Sequence, residues 1–114
     1  MVLIITTAFY PHNKANEVGK KYLEVFKKYP PDSSLSKNLS IAVKATTDGI
    51  KVIGISEVVK GKYDEALARA TESNMEYASI EGFKFEMETY MDGVEAMKVI
   101  GLKAPEEAEA PEIY

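Results

Sequence analysis

His12 is the sole histidine of this 114-residue sequence, so it is the one side chain whose type titrates near neutral pH. It follows Pro11 at the close of an apolar run and precedes a helical pattern, a position where the mouth of a sheet presents groups to a ligand. A base or metal ligand suits that place, and so does a helix cap, a role Asn13 could share. Glu86 and Glu88 are two residues apart in an alternating run, so both point to one face with Cα atoms roughly 6–7 Å apart. That spacing suits a pair of acid/base carboxylates or, with His12, an oxygen-rich metal set. It equally suits a solvent-facing or dimer-rim pair beside Lys84.

Hydroxyls add a third group. Thr6 and Thr7 interrupt an otherwise apolar strand, and Tyr10 shares the parity of Thr6. Thr6, Tyr10, Glu86, Glu88 and Tyr90 are therefore expected to converge from neighbouring strands on one ligand cavity, with His12 at its mouth. Threonine is also simply a good strand former. Glu57 is a further carboxylate whose face the pattern leaves open. The absence of cysteine removes disulfides, thiolate catalysis and sulfur-ligated metals together. With one histidine and no Gly-x-Ser-x-Gly elbow, serine hydrolysis is disfavoured, and neither a phosphate loop nor a dinucleotide fingerprint occurs. No cofactor and no resident metal is expected.

Six patterned segments must position these groups. Residues 2–10 read as a central strand, apolar on both parities at first, with Pro11 ending it. Residues 14–29 read as a helix whose Ala15, Val18, Tyr22, Val25, Phe26 and Tyr29 form one stripe. Pro30, Pro31 and Asp32 end that helix. Strands are expected over 39–46 and 50–59 around Thr47-Asp48-Gly49, where Asp-Gly between apolar runs signals a hairpin and a positive φ at Gly49. A second helix over 62–77 turns Tyr63, Ala66, Leu67, Ala70, Asn74 and Tyr77 inward, with Asp64 and Glu65 at its positive end. The strand over 82–91 sets Phe83, Phe85, Met87, Thr89 and Met91 against Lys84, Glu86, Glu88 and Tyr90. A short helix over 94–100 closes a single domain, 1–103, and the acidic, proline-flanked 104–114 is set apart as a mobile tail.

Charge is split along the chain. Residues 1–62 carry ten lysines against five acids, a net of +5, and residues 63–114 carry four basic groups against thirteen acids, a net of −9. Opposite halves can attract within or between chains, or simply form solvated faces. With a net charge of −4 and no arginine cluster, nucleic-acid binding is disfavoured. No apolar run reaches membrane-spanning length and the first residues lack the pattern of a leader, so a cytoplasmic protein without membrane contact is expected.

The order strand–helix–strand–strand–helix–strand, the hairpin and the extra helix together resemble the dimeric α+β-barrel group of ferredoxin-like domains. The resemblance spans about residues 1–102, is architectural, and carries over no catalytic residue by position. It implies an antiparallel sheet with helices on one face, and a homodimer or higher oligomer whose open sheet faces enclose a partly polar small-molecule cavity. Two functions follow as expectations: a small-molecule-binding module, or a cofactor-independent monooxygenase- or isomerase-type enzyme using His12 with a carboxylate or tyrosine. A purely structural partner protein is a third. His12 divides the first two, because an enzyme needs it enclosed near Glu86 or Glu88.

Overall fold

The structure is a computed structural model and describes residues 1–105. Beyond Ala104 and Pro105, the expected acidic tail lies outside the described residues. The elements are β1 (Val2–Tyr10), a 3₁₀ turn (His12–Lys14), α1 (Ala15–Lys28), β2 (Ser36–Ala45), β3 (Ile50–Val58), α2 (Tyr63–Met75), β4 (Lys84–Met91) and α3 (Gly93–Val99). The strands form one sheet in the order β2-β3-β1-β4, every neighbouring pair antiparallel. Two apolar runs, β1 and β3, sit at its centre, and the more polar β2 and β4 form its edges. No helix among the described residues is long and apolar enough to cross a membrane.

Register decides which side chains meet the helices. Ile4 of β1, Val58 of β3 and Ala66 of α2 form one buried cluster, joined by Leu35, Tyr63, Leu67 and Met87. A second cluster joins Val18 and Val25 of α1 to Tyr77 and Ile80, with Tyr10, Tyr29 and Phe83 against it. Even-numbered β1 residues therefore face the helices, and odd-numbered ones face away. Thr89 and Met87 of β4 confirm the same side for that strand: Tyr63 pairs its hydroxyl with Thr89 Oγ1 at 2.7 Å, and Thr71 donates to Met87 Sδ at 3.6 Å.

Two local expectations change. Neither His12 nor Asn13 caps a helix: the 3₁₀ turn and α1 start at Pro11 and Lys14 without a side-chain cap. Asp92 is the side-chain cap, its Oδ1 accepting from the Glu95 amide at 2.9 Å to start α3. The hairpin also closes differently. The Thr46 amide donates to the Gly49 carbonyl at 2.8 Å, and Thr46 Oγ1 donates to the same carbonyl and accepts from the Asp48 and Gly49 amides, so a side chain reinforces the two-residue turn.

Positive φ falls at Gly61, Gly82 and Gly101 and not at Gly49. Gly49 is needed for room: a Cβ there would lie 2.5 Å from the Tyr10 carbonyl oxygen and 2.6 Å from Phe9 Cζ. Gly49→Val should therefore cost about 2 kcal/mol through overpacking rather than dihedral strain. Urea denaturation measures it, and an unchanged midpoint would mean that the hairpin does not sit against Phe9 and Tyr10.

Candidate functional site

The pleat separates the expected site residues into two groups. Thr6 pairs with Met87 and Thr7 with Glu86, so Thr6 and Tyr10 lie on the helix side while Glu86, Glu88 and Tyr90 lie on the open side. The five do not converge. A pattern of period two fixes which residues share a face within one strand, but only register says which faces agree between strands. Glu57 pairs with Leu3 and so belongs to the open face.

His12 joins neither group. Its side chain is exposed, and Nε2 stands 2.7 Å from the Thr46 carbonyl oxygen. Because a carbonyl only accepts, Nε2 carries the proton and donates, pinning the 3₁₀ turn to the hairpin. Among the described residues, no cluster of three histidine, aspartate or glutamate side chains is gathered as a metal ion would require.

On the helix side, a half-open cleft of about 450 Å³ lies against the buried cluster of Val18 and Tyr77. Its floor is the row Thr6, Gly54 and Ile41, paired across β1, β3 and β2. Space above that floor is empty, since a Cβ on Gly54 would have nothing within 4 Å. One wall is aromatic: Phe83 stacks on Tyr77 at 4.8 Å between ring centroids and on Tyr10 at 6.3 Å. The other wall is Val18, Gly19 and Tyr22 of α1, with Ile41 and Val43 at the mouth. Ile41 is 56% exposed and Val43 64%, so the edge strand is left open on a side where a closed core would bury it.

Few polar groups reach this space, and each has a defined state. Asn74 donates its Nδ2 to the Ala70 carbonyl at 2.8 Å, which leaves Oδ1 as an acceptor. Thr6 offers a hydroxyl from the floor. Burial pushes the Tyr77 phenol up to about 12, with Tyr22 and Tyr10 adding to the rise, so it is a neutral donor at physiological pH and not a proton shuttle. The cleft can therefore hold an apolar body and orient it by one or two hydrogen bonds. It contains no carboxylate, imidazole or ammonium to move a proton. Of its lining, Thr6 and Tyr10 were expected from the sequence, whereas Gly54, Tyr22, Asn74 and Phe83 were not. Gly54 carried a readable signal, since a glycine inside an apolar strand marks a place that something approaches closely.

The open face has a different character. Reading across the strands in the order β2, β3, β1, β4, its rows are Lys37-Glu57-Leu3-Tyr90, Ser40-Ile55-Ile5-Glu88, Ala42-Ile53-Thr7-Glu86 and Lys44-Lys51-Phe9-Lys84. Its centre is apolar and half-buried, its β4 edge is acidic, and one end is a row of lysines. Tyr90 donates to Glu88 Oε2 at 2.9 Å, which holds its phenol above the ordinary value and keeps it a donor.

An antiparallel sheet in this order with helices on one side defines a ferredoxin-like α+β domain. Solved structures agree. A dimeric ferredoxin-like protein from an uncultured marine organism superposes with a TM-score of 0.51 at 14% identity, covering 81% of this chain and 94% of that one. The de novo designed protein Foldit4 gives 0.50 at 15% identity, covering 80% and 96%. No family model matches the chain, and no curated protein matches it.

Proposed function

We propose that the chain is a small-molecule-binding domain that works as a homodimer. The observation that carries the reading is the cleft over Gly54. At about 450 Å³ it falls in the size range of small-molecule pockets, and it has their make-up of apolar walls with a few oriented polar groups. The ligand class that fits is an uncharged ring or branched aliphatic compound with a single hydroxyl or keto group. The ring would slide against Tyr77 and Phe83, and the oxygen would meet Thr6 or Asn74. This puts the ligand inside each subunit, between sheet and helices, and not between the two sheets. Self-association is supported by the apolar centre of the open face and by the dimeric state of the marine neighbour.

The binding reading is favoured over the acid/base enzyme by His12, which is exposed and bonded to a backbone carbonyl. Amide NMR during titration with 2-naphthol and related ring alcohols tests the proposal. We expect shift changes centred on Thr6, Gly54 and Tyr77, and a rise in melting temperature that grows with ligand concentration. Changes confined to the open face or to His12, or no change with any compound of the class, would overturn it.

A further inference from the structure

The open face holds a pattern of charge that selects one arrangement of two copies. Among the described residues, Lys37, Lys44, Lys51, Lys84 and Glu86 have no ion-pair partner, and Glu88 takes only the Tyr90 hydroxyl. Lys44 lies directly opposite Lys51 in the β2–β3 pair. Like charges so placed destabilise a sheet, and the sheet keeps them. Something acidic covering this row would relieve the repulsion.

A second copy can do so in only one of the simple two-fold arrangements. With the axis along the strands, Lys44 falls over the partner's Lys84 and the β4 acids fall over Ser40 and Ala42. With the axis across the strands, Glu86 falls over the partner's Glu88. The diagonal axis from the Tyr90 corner to the Lys44 corner fares no better, since it sets Glu86 over the partner's Glu57. The other diagonal, from the Lys84 corner to the Lys37 corner, exchanges the acidic β4 edge with the lysine row. It sets Glu88 over the partner's Lys51, Tyr90 over the partner's Lys44, and Glu86 over the partner's Phe9 between two lysines. The same operation stacks Ile5 on the partner's Ile53, Leu3 on the partner's Ala42, and Ile55 on itself across the axis.

We infer that the open face binds a second copy of this chain with the two sheets crossed near a right angle, Glu88 of each pairing with Lys51 of the other. Orthogonal packing is one of the two regular ways in which sheets meet face to face. The inference rests on the self-association proposed above and adds its geometry and its ionic register.

Sedimentation and light scattering of charge-reversed variants test it. Wild type should run at twice its 12.6 kDa at micromolar concentration. Glu88→Lys alone sets lysine against lysine, and Lys51→Glu alone sets acid against acid. Each should weaken the dimer by at least about tenfold. Mixing the two variants restores both pairs at once, as does the double variant E88K/K51E, and dimer strength should return in both cases. That recovery excludes a folding defect, because neither variant contains anything the other could repair except charge. Single reversals without effect, or weakened variants that do not recover on mixing, would overturn the crossed arrangement while leaving self-association intact. A wild-type mass of 12.6 kDa at every concentration would overturn both.

Discussion

Gly54→Ile should abolish the ligand site and stabilise the protein in the same step. The glycine sits mid-strand in β3, on the helix side, where an added Cβ meets nothing within 4 Å. Isoleucine suits an extended backbone, removes the entropy that glycine loses on folding, and buries its methyl groups against Thr6 and Ile41. Those methyl groups occupy the volume that a ring would need. Affinity for any compound found to bind should fall at least about thirtyfold, or about 2 kcal/mol. Melting temperature should hold or rise. Calorimetry on both proteins reads the two effects together. A variant that binds as wild type does would show that the ligand sits elsewhere, and one that loses both stability and binding would show that the floor is already filled.

The pairing of opposite effects follows from what the cleft is. A domain of this length has a modest core, and here it is divided into two clusters, with an unfilled gap beside the one that holds Val18 and Tyr77. Packing alone would favour closing that gap, so leaving Ile41, Val43 and Tyr22 partly in water gives up hydrophobic stabilisation. Gly54 is where the surrender is most plainly localised. A ligand that fills the same space would recover in the bound state what the free protein forgoes.

The order of elements and the alternation along β4 were legible in the sequence, because alternation and helical spacing are local, whereas β1 was apolar on both parities and the face of Glu57 on β3 stayed open. Phe85 and Met87 separate from Glu86 and Glu88 on period alone. What was not legible was the agreement between strands. Thr6 and Glu86 share a parity in numbering, yet the pairing Thr7 with Glu86 sends them to opposite faces. Period alone leaves that offset open, because it belongs to the pairing of two strands some eighty residues apart and not to either strand's own pattern. His12 was conspicuous by its chemistry, but its partner is a backbone carbonyl 34 residues away, and a backbone carbonyl leaves no trace in the sequence. The hairpin was found through Asp48-Gly49, although Thr46 is the residue that closes it.

Neighbouring isoleucines in β1 offer the sharpest check on sidedness. Ile4 is 3% exposed, in contact with the cluster of Val58 and Ala66, whereas Ile5 points to the open face. Ile4→Ala removes a buried side chain where the strand on either side is fixed by its ladder, so the site cannot collapse to refill it. The expected loss is about 3 kcal/mol, a large part of the roughly 5–15 kcal/mol that holds a small domain together. It should lower the melting temperature by about 10–20 °C. Ile5→Ala should cost less, about 1 kcal/mol, in the isolated subunit, since that side chain is only partly buried there. The two losses should also respond differently to concentration. The deficit of Ile4→Ala should be the same in dilute and concentrated solution, because both monomer and dimer bury it. The deficit of Ile5→Ala should widen as the protein is concentrated, because wild type gains stability from a second copy sooner than the variant does. Melting curves of the three proteins over a hundredfold range of concentration would decide the matter. Equal losses in dilute solution would invert the faces of β1, and with them both the cleft and the crossed dimer.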